Sequence, residues 1–176
     1  SQELSNTAWA FATLALLQRP LMAALSARSL ALAEEFRPQE VANTSWAHAV
    51  LQWLDPALCD ALAEVARRTL STAEPRHLSG TAWAFATLAV LHAPLFAELS
   101  VESAARIRRG DFGTRALSNT VWAFATLALL SGPLMEAVSG AIPAASLGSQ
   151  ELANTAWSYA TLAVSSAPLN AAIAAR

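Results

Sequence analysis

The sequence predicts an all-α protein: a right-handed or flat αα-solenoid of about 4.5 helix-pair repeats of about 37 residues each. Three observations point there. Trp9, Trp46, Trp83, Trp122 and Trp157 follow one another at intervals of 37, 37, 39 and 35 residues. Each sits in the same phrase: Leu4 to Leu14 (LSNTAWAFATL) recurs as Val41 to Leu51, Leu78 to Leu88, Leu117 to Leu127 and Leu152 to Leu162. The composition is 55% hydrophobic and rich in alanine and leucine, the strongest helix formers, and no segment alternates as a strand would.

The elements follow in order. A first helix begins near Gln2, Gln39, Arg76, Arg115 and Gln150, runs about four turns past the tryptophan, and stops before Pro20, Pro56, Pro94, Pro133 or Pro168. Pro38 and Pro75 suit its first turn, Ser149 can cap it, and Glu3, Glu40 and Glu151 meet the positive end of its dipole. A second helix starts at the proline, as in Asp55-Pro56, where aspartate caps and proline takes the first position. It ends near Phe36, Leu70, Arg109 and Ile142. Gly110 to Gly113 and Pro143 to Gly148 read as looser connections. The repeats fall at about 1–37, 38–74, 75–113, 114–148 and 149–176, one array over residues 1–176. Because Ser1 opens in repeat phase and Arg176 closes within a repeat, the array is expected to be a fragment of a longer protein.

At 100° per residue the first helix has two faces. Leu4, Thr7, Phe11, Leu14 and Ala15 share one side, of which Leu4, Phe11 and Leu14 are expected to pack on the second helix of the same repeat; Gln2, Asn6, Trp9, Thr13 and Leu16 share the other. Small residues at Ala8, Ala10, Ala12 and Ala15 allow close approach of neighbouring helices, and the first helices are expected to line the inner surface.

Several functions are disfavoured. The net charge is −2, and all eleven basic residues are arginine, so this is no generic basic nucleic-acid binder, although each cation is a planar fork suited to phosphate or carboxylate. The longest uncharged runs contain Asn, Thr, Ser, Gly and Pro, which argues against membrane insertion. The single cysteine, Cys59, reads as a small buried residue. His48, His77 and His92 fall in different parts of different repeats, and His48 replaces the phenylalanine of other repeats as a core residue. No nucleophile set, phosphate loop or metal-ligand spacing is present, so no enzyme, cofactor, metal or small-molecule substrate is expected.

Positions identical in every repeat are set first by packing, and positions that vary around one chemical theme are better candidates for reading a partner. The tryptophan reads as an inter-helix packing aromatic or as a platform for stacking bases. Three residues earlier stand Asn6, Asn43, Asn119 and Asn154, with Gly80 in the third repeat. They could form a hydrogen-bonded ladder between helices or contact bases through the amide. Seven residues before the tryptophan stand Gln2, Gln39, Arg76, Arg115 and Gln150, fork-like side chains on the same face as the asparagines. One edge of the array, formed by second-helix ends and first-helix starts, is mildly positive; Arg37, Arg67, Arg68, Arg106, Arg108 and Arg109 there are candidates for phosphate contacts.

The phrase Pro38-Gln-Glu-Val-Ala-Asn-Thr-Ser-Trp46-Ala, with Ser118 to Leu127 and its sisters, resembles the helical repeats of organellar RNA-binding proteins, the heptatricopeptide and octotricopeptide class. That resemblance covers the whole chain and implies a solenoid holding single-stranded RNA along its concave face. It further implies a role in organellar transcript processing, stability, translation or ribosome assembly, in a mitochondrion or plastid. The expected function is therefore a non-catalytic RNA-binding segment. The rival is a protein-interaction scaffold within a large organellar complex, which the near-neutral charge favours.

Overall fold

A computed structural model describes residues 1–142 and 146–175. Among them are ten α-helices, one 3-10 turn (Ala33–Glu35) and no strand. The first helices of the five repeats are α1 (Gln2–Thr13), α3 (Pro38–Val50), α5 (Pro75–Thr87), α7 (Thr114–Thr126) and α9 (Ser149–Thr161). The second helices are α2 (Arg19–Ala31), α4 (Pro56–Thr69), α6 (Ala93–Arg108), α8 (Gly132–Ala141) and α10 (Ala167–Ala174). Residues 143–145 of the anticipated loose connection, and the end at Arg176, lie outside the described residues.

Two layers result, in the repeat-like packing of an α-solenoid. Each first helix packs most extensively on the first helices before and after it, and the second helices meet more sparsely, α6 on α8 excepted. Small residues beside Trp46, Trp83 and Trp122 account for the tighter layer: Ala47, Ala82, Ala84 and Ala123 have no accessible surface, and their size lets neighbouring first helices pack closely. Closer spacing in one layer than in the other bends a stack towards the closer layer. The core lies between the layers, where Phe85, Leu95, Phe96, Leu99, Leu117 and Leu134 are fully buried and Phe96 meets Phe124 edge to face at 5.3 Å.

Second helices begin at or one residue before the proline, and in all but α2 the side chain of the residue ahead caps them. Asp55 Oδ1 accepts from Leu58 N–H at 3.1 Å, and His92 Nδ1, Ser131 Oγ and Ser166 Oγ do the same in their repeats. In the fifth repeat the helix starts at Ser149 itself, with Gly148 in the cap position, so Ser149 does not cap.

First helices are shorter than expected from the proline position. All five end at the fourth residue after the tryptophan, because the sixth turns left-handed: Ala15, Gln52, Ala89, Ala128 and Ala163 have φ between 51° and 55°. The next N–H then reaches back to close the helix, as Leu16 to the Phe11 carbonyl and Val90 to the Phe85 carbonyl, both 2.9 Å. Glycine takes this position at no steric cost, whereas alanine there carries about 1–2 kcal/mol of strain. Ala89→Gly is therefore expected to raise stability by about 0.5–1 kcal/mol, relief of strain exceeding the entropy gained by the unfolded chain. Chemical denaturation measures it, and a destabilised variant would contradict the assignment.

His48 is a core residue, as its place in the repeat implied. It is 2% exposed, its Nδ1 donates to the Thr44 carbonyl, and its Nε2 meets Ser26 Oγ, both at 2.9 Å. Ser26 Oγ also accepts from Trp53 Nε1 at 3.1 Å. Burial lowers the His48 pKa below its ordinary 6.5, outweighing the raising effects of the Thr44 carbonyl and Asp55. The folded protein thus resists a proton that the unfolded chain accepts below 6.5. Stability is full above that pH and is lost as pH falls through it towards the lower folded value. Burial shifts His77 the same way, so His48→Phe should flatten the acid slope without abolishing it, read in melts across this pH range. Cys59 is buried and its thiol is pushed up to about 11, which leaves it unreactive.

Candidate nucleic-acid interface

The helical period that buries Ala8 and Ala12 of α1 turns Gln2, Asn6, Trp9 and Thr13 away from the core, and all four are exposed. The same holds down the array, so the five tryptophans form a row across the first-helix layer. Trp9 and Trp157 are 47% and 48% exposed, and the three between them are partly exposed. Trp9 lies 6.4 Å from Trp46, Trp83 stacks on Trp122 at 6.3 Å, and Trp122 lies 6.5 Å from Trp157. The indoles pack on one another between helices, as a packing aromatic does, yet keep surface open as a platform needs.

The asparagine ladder does not form. Among the described residues, the side chains of Asn6, Asn43, Asn119 and Asn154 make no hydrogen bond, and neither do those of Gln2, Gln39, Gln150 and Arg115. Neighbouring first helices are held by small apolar contacts instead, which leaves these amides free for an outside partner. Arg76 alone in this group is engaged, with exposed Glu74 at 3.1 Å and with His77 Nε2 at 3.3 Å.

The structure brings part of the sequence-derived set together. A groove of about 520 Å³ runs across α1, α3 and α5, lined by Asn6, Trp9, Gln39, Asn43, Trp46, Arg76, His77 and Gly80. Gln2, Arg115, Asn119, Gln150 and Asn154 lie outside it, on the same layer. Gly80 was legible only as an exception to the asparagine column; that its missing side chain leaves this opening depends on the helix spacing.

The phosphate candidates divide differently. Arg67 binds Glu98 of α6 at 2.6 Å and Glu64 at 2.9 Å, and these carboxylates raise its pKa. Arg68 meets Glu34 at 2.7 Å, Arg108 meets Glu136 at 3.5 Å, and Arg109 meets Asp111 at 3.2 Å. Arg106 binds Glu102 at 2.6 Å and donates to the carbonyls of Ser71 and Ala73 in the preceding turn. Most of these arginines staple one repeat to the next across the sparser second layer. Arg37 is exposed at the start of α3, and its side chain makes no ion pair among the described residues.

A larger groove of about 740 Å³ lies between α6, α7 and α8, but its Arg108 and Arg109 are the paired ones just described. Among the described residues, no cluster of His, Cys, Asp or Glu could hold a metal ion, and no helix is long and apolar enough to cross a membrane.

The profile of the family described as RNA-editing substrate-binding complex 6 protein matches residues 2–167. The chain belongs to this family. No curated protein matches it. The RNA-editing substrate-binding complex 6 match takes in the five first-helix tryptophans and every side chain of their row from Gln2 to Trp157. It supports the coarser part of the sequence resemblance, an RNA-associated helical protein, without pointing to the heptatricopeptide or octotricopeptide class in particular.

Proposed function

We propose that the chain is a non-catalytic subunit of an RNA-editing substrate-binding assembly, and that its first-helix face holds single-stranded RNA. The observation that carries this is the row of part-exposed indoles flanked by amides with no hydrogen-bond partner among the described residues. Indole faces stack on bases of any sequence, and free amide and guanidinium forks beside them add base preference. Gln2, Gln39, Arg76, Arg115 and Gln150, with Asn6, Asn43, Asn119 and Asn154, face bases in this reading. Arg37, exposed at the start of α3, holds a phosphate. The family supports a mitochondrial setting and lends nothing to a plastid one.

A protein scaffold is the second reading, favoured by the internal pairing of Arg67, Arg68, Arg106, Arg108 and Arg109. Salt separates the two. With only about one phosphate contact, the logarithmic salt slope for single strands should be near −0.7, or roughly a threefold loss of affinity between about 50 and 200 mM. A randomised single-stranded RNA pool titrated at both concentrations reads it. Absence of binding at the lower salt would transfer the face to a protein partner.

A further inference from the structure

Repeat three joins two features on the proposed RNA face that no other repeat combines. Where the other repeats carry asparagine three residues before the tryptophan, it carries Gly80. Its seventh residue before the tryptophan is Arg76, beside Gln39 of the preceding repeat. The space left by the missing amide is the groove across α1, α3 and α5. There the tryptophan row is also interrupted: ring contacts join Trp9 to Trp46, and Trp83 to Trp122 and Trp157, but among the described residues none joins Trp46 to Trp83. Trp46 is therefore covered by an indole towards α1 and by none towards α5.

We propose that this groove is a base-selective stop for guanine within the bound strand. The inference rests on the RNA-binding reading. A groove of this volume falls in the range that takes a small ligand, about 300–1,000 Å³. A base entering beside Trp46 takes up stacking surface that the interrupted row leaves unused. Helical rise puts Asn43 about 4.5 Å and Gln39 about 10 Å further along the axis from Trp46, so a stacked base turns its edge towards amides and the Arg76 fork. Guanine presents two acceptors on one edge, O6 and N7, which match the two donors of a guanidinium; adenine presents a donor in place of O6 and does not. Among the described residues Arg76 is held by exposed Glu74 and by His77, contacts of little energy that it can exchange for the base. The fourth repeat also has an arginine, Arg115, but there Asn119 occupies the equivalent of the Gly80 space.

The test uses uridine oligomers with a single central guanosine, adenosine or 7-deazaguanosine, titrated against the wild-type chain, Gly80→Asn and Arg76→Gln. An asparagine at position 80 has room, since its Cβ would meet only the Ala42 methyl at 3.9 Å, and Arg76 is exposed, so both variants should fold. The guanosine oligomer should bind the wild type about 5- to 100-fold more tightly than the other two. Each variant should lose that margin while still binding the uridine tract. Equal binding of all three oligomers by the wild type, or a margin unchanged in both variants, would overturn the guanine assignment and leave the RNA reading standing. Failure to bind any oligomer would remove both. Free guanosine monophosphate serves as competitor; if it bound as tightly as the guanosine oligomer, the groove would be a nucleotide site rather than a stop along a strand.

Discussion

Trp122→Ala should weaken binding of single-stranded RNA by about 1–3 kcal/mol, fivefold to 150-fold, while Trp122→Leu should lose most of the same affinity with a smaller cost in stability. Trp122 sits in the middle of the three-ring row, with Trp83 at 6.3 Å and Trp157 at 6.5 Å. It is only partly exposed and packs against the core, so alanine removes both a stacking face and buried apolar surface. Leucine restores much of the surface and none of the π face. A titration of fluorescent RNA together with thermal melts separates the two contributions. If the folded leucine variant binds as the wild type does, the row is a packing device and nothing more, and the interface must be sought elsewhere.

The second large effect is on stability. Arg106→Ala should destabilise the array by about 2–4 kcal/mol, because charged hydrogen bonds contribute roughly 1.5–3 kcal/mol each and the carbonyls they leave need new partners. The Arg106 side chain is only 14% exposed. It crosses from α6 to the turn after α4, donating to the carbonyls of Ser71 and Ala73 while Glu102 holds its Nε. Those two carbonyls belong to a turn with no helix to pair them. Arg109→Ala, by contrast, breaks one exposed pair with Asp111 and should shift stability by about 0.5 kcal/mol or less. A denaturant series on both variants reads the difference. Comparable losses would show that Arg106 too is a surface cation and return it to the phosphate candidates.

These two arginines show where the sequence stops being legible. Both stand at the end of one helix, in a cluster of like charge, and nothing local distinguishes them. What separates them is a turn some 33 residues away, placed beside Arg106 by the stacking of repeats. Asn43 illustrates the same limit. Its phase on the helix placed it on the tryptophan face, but whether it bonds to the next asparagine depends on helix separation, and the side chains do not meet. The ends of the first helices were misplaced for a different reason. Proline marks the latest point at which a helix can stop, whereas an alanine, or in the second repeat Gln52, in the left-handed region stops it earlier and leaves no mark in composition.

The amino-acid sequence by itself determined the helical-repeat class, the division into helix pairs, the side chains that share the tryptophan face, and the core position of His48. All of these follow from local propensity and from a period of 3.6 residues nested in one of about 37, and neither needs a neighbour to be read. Only the tertiary structure decided which arginines are spent between repeats, that the asparagines find no partner among the described residues, and that Gly80 lines a groove beside Trp46. Each of those depends on the distance between adjacent first helices, and that distance is set by the buried methyl groups of Ala47, Ala82, Ala84 and Ala123 packing against the next repeat.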